Sequence, residues 1–197
     1  MMFQNEITKE EVENLDLIQF EGPIMVVDTL EDFNREIGQI ERCSLLGFDT
    51  ETKPSFKKGK VNPTSLIQLA TGDRAWIIRV SRFGYPRKLL RLLSNEEIIK
   101  VGTGLNDDLR RLRSDFRFEP AGFLDLQQYV EAFRIDEKGL KKMSAIVLGK
   151  RISKSQQVSN WDAEPLTEAQ IRYAATDAWI CLEIYRTLRK SIPMHHG

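Results

Sequence analysis

Apolar positions recur along this chain at two spacings, and the spacing separates strands from helices. Ile24 to Val27, Ser44 to Glu51, Ser65 to Ala70, Ala75 to Val80, Ile98 to Val101 and Phe123 to Leu126 are short apolar runs bounded by glycine, proline or charge, which is the signature of strands. The density of Leu45, Leu46 and Phe48 fits a central strand covered on both faces, and Gly47 within it lets another backbone or a ligand approach closely. Ile24 to Val27 reads as an edge strand. Thr71-Gly72-Asp73-Arg74 reads as a hairpin turn, so three antiparallel strands stand together in the first half of the chain.

The helical spacing is equally regular. Leu30, Phe33, Ile37 and Ile40 repeat behind Thr29, a cap with Asp32 at the third helical position. Leu89, Leu90, Leu92 and Leu93 mark a short helix after Pro86, a helix starts beyond Gly104, and helical stretches end at Phe133 and run around Leu140 to Leu148. The longest helix opens with a capping box of Thr167 and Gln170 and a hydrophobic staple of Leu166 on Ile171. Its stripe of Ile171, Ala174, Ala175, Ala178, Cys181, Leu182, Tyr185 and Leu188 has the three-and-four spacing of a core-facing helix. From Ile98 onward helices and strands alternate. The expected fold class is therefore α/β, a mixed central β-sheet flanked by α-helices in a single domain. Residues 1–23 lack periodicity and read as an acidic N-terminal extension, residues 24–190 as the folded domain and residues 191–197 as a C-terminal tail.

A length of 197 residues suits one domain with a sizeable core. No apolar run approaches the length of a membrane span, and the polar, acidic start lacks the basic-then-apolar order of a signal peptide; a cytoplasmic location and no membrane partner are expected. Cys43 and Cys181 are too few for a disulfide framework and sit in apolar surroundings, so reduced buried thiols are expected and zinc is not. His195 and His196 fall in the tail after Pro193, a poor place for catalysis. The 29 basic and 29 acidic residues balance, which argues against a protein that coats nucleic acid. Their placement is uneven. Six acids and one lysine precede residue 22, whereas Lys138 to Lys154 holds six bases and no acid. That basic stretch is either a solvated helix face or a phosphate-contacting surface.

Carboxylates gather where the elements end. In an extended chain Asp49 and Glu51 point to one side, so two oxygen ligands leave the strand together toward one cation, while Thr50 faces the other way. By itself an Asp-x-Glu entering a loop is ordinary turn chemistry. The loop that follows starts at this pair and carries Lys57, Lys58 and Lys60, and loops so placed tend to touch ligands. Val101 to Leu112 imitates a dinucleotide fingerprint, but Asp107 stands where the third glycine belongs, and two acids in the first helical turn repel a pyrophosphate. A nucleotide cofactor is excluded on that ground. Asp107 and Asp108 also suit the helix dipole without any function. On the last helix Asp177 lies at the border of the apolar stripe, flanked by Cys181 and Ile184. Tyr173 sits one turn before it and reaches the same small volume.

The segments Phe48-Asp49-Thr50-Glu51, Val101-Gly102-Thr103-Gly104-Leu105-Asn106-Asp107-Asp108-Leu109 and Tyr173-Ala174-Ala175-Thr176-Asp177-Ala178 resemble the three motifs of the DEDD 3'-5' exonucleases. The Tyr-x-x-x-Asp spacing resembles the tyrosine-containing branch. The connecting stretches from Gly59 to Leu69 and from Ser159 to Thr167 are similar to the Werner-type exonuclease domain, with ribonuclease D a further relative. The resemblance implies an RNase H-like fold. It also implies that Asp49, Glu51, Asp108 and Asp177 are metal-binding carboxylates and that Tyr173 orients the attacking water, with Asp108 and not Asp107 in the family position.

Four carboxylates converging without counter-ions repel by on the order of a few kcal/mol per close pair at an effective dielectric of about 20. Such a cluster calls for divalent cations. Oxygen donors without imidazole or thiolate match Mg²⁺ or Mn²⁺, and two ions about 3.5–4 Å apart serve an in-line displacement at phosphorus. By the resemblance, Asp49 bridges both ions, Glu51 and Asp177 complete the site of the nucleophile, and Asp108 supports the other ion through water.

The expected activity is a metal-dependent 3'-5' exonuclease that hydrolyses phosphodiester bonds from the 3' end and releases nucleoside 5'-monophosphates. The resemblance of the connecting segments to the Werner-type domain favours DNA over RNA. Thr50, Lys57, Lys58, Lys60, Lys141 and Lys142 are the expected contacts to the substrate strand. Two other readings compete. A ribonuclease D-like RNA-trimming exonuclease differs in its response to a terminal 2'-hydroxyl. A non-catalytic nucleic-acid-binding adaptor is disfavoured because no motif residue is missing.

Overall fold

The computed structural model describes residues 3–55 and 61–192. Lys57, Lys58 and Lys60, expected to hold substrate, and the two histidines lie outside the described residues. Among the described residues six strands form one sheet: β1 (Ile24–Val27), β2 (Leu45–Thr52), β3 (Thr64–Ala70), β4 (Ala75–Ile78), β5 (Ile99–Gly102) and β6 (Phe123–Asp125). Their order is β1-β4-β3-β2-β5-β6. The three antiparallel neighbours are β2, β3 and β4, as the hairpin pattern predicts. β5 and β6 add in parallel beside β2, and β1 lies at the edge, parallel to β4.

The helices are α1 (Lys9–Glu13), α2 (Leu30–Ile40), α3 (Val80–Phe83), α4 (Arg87–Leu93), α5 (Leu105–Asp115), α6 (Leu126–Tyr129), α7 (Leu140–Leu148) and α8 (Glu168–Ser191), with a 3-10 turn at Val130–Phe133. Alternation along β3 shows how they layer, because successive side chains of a strand point to opposite faces. Ile67 and Leu69 enter a core with Phe33 and Ile37 of α2, Leu89 and Leu92 of α4, and Leu105 of α5. Leu66 and Ala70 enter another core with Ala174, Ala175 and Ala178 of α8 and the fully buried Trp161. A third cluster packs Met143 and Val147 of α7 against Ile180, Ile184 and Leu188 of α8. The sheet is thus covered on both faces. Among the described residues no helix is long and apolar enough to cross a membrane.

The molecule departs from the sequence pattern in three places. β4 stops at Ile78 and not at Val80, because α3 begins there around the buried Arg79, which pairs with Asp28 at 2.9 Å and donates to the Ala163 carbonyl at 2.6 Å. Cys181 is buried as expected, but Cys43 is only half-buried and donates its thiol to the Gln39 carbonyl at 3.4 Å. The largest difference is the N-terminal segment. A capping box of Thr8 and Glu11 starts α1, and Phe3, Ile7, Val12 and Phe20 are buried. A helix of five residues is too short to display a period. Its apolar side chains pack on Ala145 and Ile146 of α7, a partner remote in the chain.

Candidate active site

Alternation places Gly47, Asp49 and Glu51 on the face of β2 that looks toward α8, and Leu46, Phe48 and Thr50 on the opposite face. At Gly47 the helix rests on the strand itself, since a Cβ there would lie 1.9 Å from the Ala178 carbonyl oxygen. The residue before Ala178 is Asp177. This close approach brings carboxylate oxygens of Asp49, Glu51 and Asp177 within 4.8 Å of one another. Asp177 is buried and the other two are half-buried.

Asp108 reaches the same cleft from the other side of the sheet. The start of α5 turns at Gly104, whose φ of 67° is left-handed and favours glycine. The Asp125 carboxylate accepts from the Gly104 amide at 3.1 Å, the Leu105 amide at 2.9 Å and the Gln127 amide at 2.9 Å, which fixes that start. One turn on, Asp108 accepts a hydrogen bond from the Thr50 hydroxyl at 2.7 Å. The outward direction of Thr50 thus has a use: it holds a carboxylate, and its hydroxyl is already committed within the protein. Asp108 stands outside the group of three but lines the same cleft. Asp107 is exposed and pairs with Arg110.

Tyr173, four residues before Asp177, also faces the cleft. Its ring lies 5.9 Å from that of Trp161, which is anchored in the core. The loop carrying Trp161 is tied to α8 by Gln170, whose amide donates to the Ser159 hydroxyl at 2.7 Å and the Asn160 carbonyl at 3.1 Å.

The electrostatics follow from crowding like charges in a place with little water. Burial, then the charges of Asp177, Glu51 and Asp108, hold the Asp49 carboxyl well above the usual carboxylate range. Burial and the charges of Asp177 and Asp108 push Glu51 up to about 9. Burial raises Asp177 to about 7, against opposing interactions with Tyr173 and Lys154. Asp108 rises to about 6, again by burial, with Thr50 and Arg111 opposing. The Tyr173 phenol is pushed far above its ordinary value by burial and by the charges of Asp177 and Glu51. A phenol so shifted is protonated at neutral pH and serves as a donor.

The cleft has a volume of about 450 Å³, in the range of pockets that hold small ligands, roughly 300–1,000 Å³. Beside the acids it is lined by Arg111, Lys138, Lys141 and Lys154. Of the two lysines expected here, Lys141 lines the cleft but its ammonium pairs with Glu13, and Lys142 pairs with Glu137 and is not part of the lining. Lys138 pairs with Glu131 at 2.7 Å, and Lys154 is exposed and makes no ion pair among the described residues. Arg111 escaped the sequence reading, although it follows Asp108 by three positions and so shares its helix face. It donates to the Thr52 hydroxyl at 2.6 Å. Asp125, which builds the start of α5, carried no motif that could reveal it.

The donor set suits a hard divalent cation. It offers several carboxylate oxygens and no imidazole, and the buried Cys181 thiol, its pKa raised by burial and by the neighbouring Asp49 and Asp177, stays protonated.

Comparison with known proteins agrees with this geometry. Residues 24–193 match the 3'-5' exonuclease family, and the chain belongs to that family. It is 32% identical over 186 residues to the bifunctional 3'-5' exonuclease/ATP-dependent helicase WRN of Mus musculus, covering 89% of this chain and 13% of that protein. The EXO domain of Aedes aegypti Nibbler superposes with a TM-score of 0.76 at 30% identity, over 89% of this chain and 91% of that one. Escherichia coli RNase D superposes with a TM-score of 0.74 at 25% identity, over 85% of this chain and 44% of that one. The fold is RNase H-like, and residues 24–193 form a domain of the 3'-5' exonuclease family. The chain spans at most 27% of the length of the first curated relatives it matches.

Proposed function

We propose that this exonuclease belongs to the tyrosine-containing DEDD branch and works with two Mg²⁺ or Mn²⁺ ions, releasing nucleoside 5'-monophosphates from the 3' end of DNA. One observation carries the reading: Asp49, Glu51 and Asp177 meet within 4.8 Å, with Asp108 and Tyr173 on the same cleft. Asp49, Glu51 and Asp177 would hold one ion, and Asp49 with Asp108 would support the other. Bound there, the ions supply an activated water and neutralise charge on the scissile phosphate and the leaving 3'-oxygen.

The remaining tasks fall to the chain itself. Tyr173, a protonated donor beside Asp177, orients the attacking water by hydrogen bonding. Lys154 and Arg111 place positive charge at the cleft for backbone phosphates, whose contacts position the strand without reading its sequence. Thr50 keeps Asp108 in place. DNA is the proposed substrate because the connecting segments resemble those of the Werner-type domain, and the chain is 32% identical to the mouse WRN protein over 186 residues. RNA is the second reading, favoured by the likeness to E. coli RNase D, an exoribonuclease.

The test uses DNA and RNA oligonucleotides of matched sequence, labelled in turn at each end, with Mg²⁺, Mn²⁺ or chelator. The expected result is stepwise shortening of DNA from the 3' end, abolished by chelator, with 5'-monophosphates as product. Faster shortening of RNA would transfer the assignment to the ribonuclease reading. Retention of full length under every metal condition would defeat the proposal.

A further inference from the structure

The N-terminal segment is built against the basic rim of the cleft. Ile7 and Val12 are buried on α7, Phe3 packs edge-on against Phe133, and the Phe20 carbonyl accepts from Arg172 of α8 at 2.9 Å. Between these anchors the chain crosses the loop that follows α7. The Ile18 amide donates to the Arg151 carbonyl at 2.8 Å, and the Arg151 amide donates to the Asp16 carbonyl at 3.0 Å. Two carboxylates are thereby set on the basic stretch: Glu13 on Lys141, and Asp16 on Lys150 at 2.8 Å. The two lysines hold both of these carboxyls below the usual carboxylate range. Lys141 is the link to function, since it lines the carboxylate cleft while its ammonium is turned to Glu13.

We infer that this N-terminal strap competes with the substrate, its Glu13 carboxylate occupying Lys141 in the place of a backbone phosphate. A carboxylate and a phosphate oxygen ask the same of an ammonium group, so the two exchange on one lysine. Side chains of Glu13 and Lys141 are 47% and 21% exposed, and pairs so open to water are held by no more than about a fivefold preference. A phosphate can therefore displace Glu13, at the cost of that factor in affinity. Asp16 makes a like pair with Lys150, a lysine that does not line the cleft. The strap lies outside residues 24–193, the part that matches the exonuclease family. Its effect is to tune how tightly a strand is held before cleavage. The inference rests on the proposed path of substrate phosphates over the basic rim.

The test is Glu13→Gln, a change at an exposed side chain that keeps its shape. Steady-state cleavage of an end-labelled oligonucleotide in Mg²⁺ is followed across a series of KCl concentrations. KM should fall about two- to fivefold at low salt with kcat unchanged, and the slope of log KM against log salt should steepen, because no carboxylate is released to regain a counter-ion when the phosphate takes Lys141. In a Lys141→Gln background the same change should do nothing. Glu10→Gln, which removes an exposed acid from the same helix with no lysine of the rim as partner, is the control. Unchanged KM and slope for Glu13→Gln would overturn the inference, as would an equal effect of Glu10→Gln, which would reduce it to net charge. A drop in melting temperature without any change in KM would make the pair a structural staple and also overturn it. These outcomes are read on an active enzyme; a wild-type chain that releases no nucleotide would instead defeat the proposed function.

Discussion

Tyr173 is the residue whose role depends most on its surroundings. Its ring is held by Trp161, and its hydroxyl sits beside Asp177 in a cluster of acids that keeps the phenol protonated. Tyr173→Phe retains the ring and removes only the donor. The expected result is a fall in kcat of roughly 10- to 1,000-fold with KM little changed, the loss of one positioning hydrogen bond near developing charge. Single-turnover kinetics check this, and full kcat in the variant would return Tyr173 to a packing role. The motif carboxylates and this tyrosine were legible in the sequence because each lies within a short run of fixed spacing. What could not be read were pairs made across the chain. Thr50 meets Asp108 from 58 residues away, and Lys141 meets Glu13 from 128 residues away. Charge alone marked the stretch containing Lys141 as basic, and only the fold shows that Lys141 and Lys150 meet acids of the N-terminal segment.

At the scale of elements, the contact of α8 with β2 decides whether the acids converge. Gly47 lets the helix backbone lie on the strand, and its absence of a side chain is filled by the Ala178 carbonyl. Gly47→Ala should push α8 outward. Overpacking of this kind costs about 1–3 kcal/mol, which corresponds to a melting temperature lower by roughly 2–12 °C for a domain of this size. Because Asp177 rides on the displaced helix, activity should also fall well below the melting point. Calorimetry and an oligonucleotide assay at 25 °C read the two effects, and an alanine variant with both unchanged would show that the helix does not need this approach. The strand and helix patterns were legible because amphipathic periods and capping boxes are local. Strand partners were not: nothing in Ile24 to Val27 says that it pairs in parallel with β4. The five-residue α1 was hidden for the same reason, its burial being supplied by α7.

For the molecule as a whole, the acid cluster links stability to pH and to metal. Unfolded carboxyls titrate near 3.9–4.3. In the folded chain Asp108 titrates at about 6, Asp177 at about 7 and Glu51 at about 9, with Asp49 also well above the usual range. Folded pKa values above unfolded ones mean that the native state binds more protons, so without metal the protein loses stability as pH rises through these values. Other groups act outside the window from pH 5 to 8. Glu11, Glu13, Asp16 and Glu164 have lowered values and add stability only as pH rises through the acid range. Lys100, depressed by burial to about 8, acts in the favourable direction only above that pH. In chelator the melting temperature should therefore fall from pH 5 to pH 8. Excess Mg²⁺ or Mn²⁺ should raise it most at pH 8, because a cation binds the ionised cluster of the folded state. An Asp49→Asn, Asp177→Asn double variant should show a flatter pH dependence in chelator and little response to either ion. Scanning fluorimetry across this grid checks the argument. A melting temperature that climbs from pH 5 to 8 in chelator would mean that the acids are not coupled as described, and a full metal response in the double variant would place the ions elsewhere.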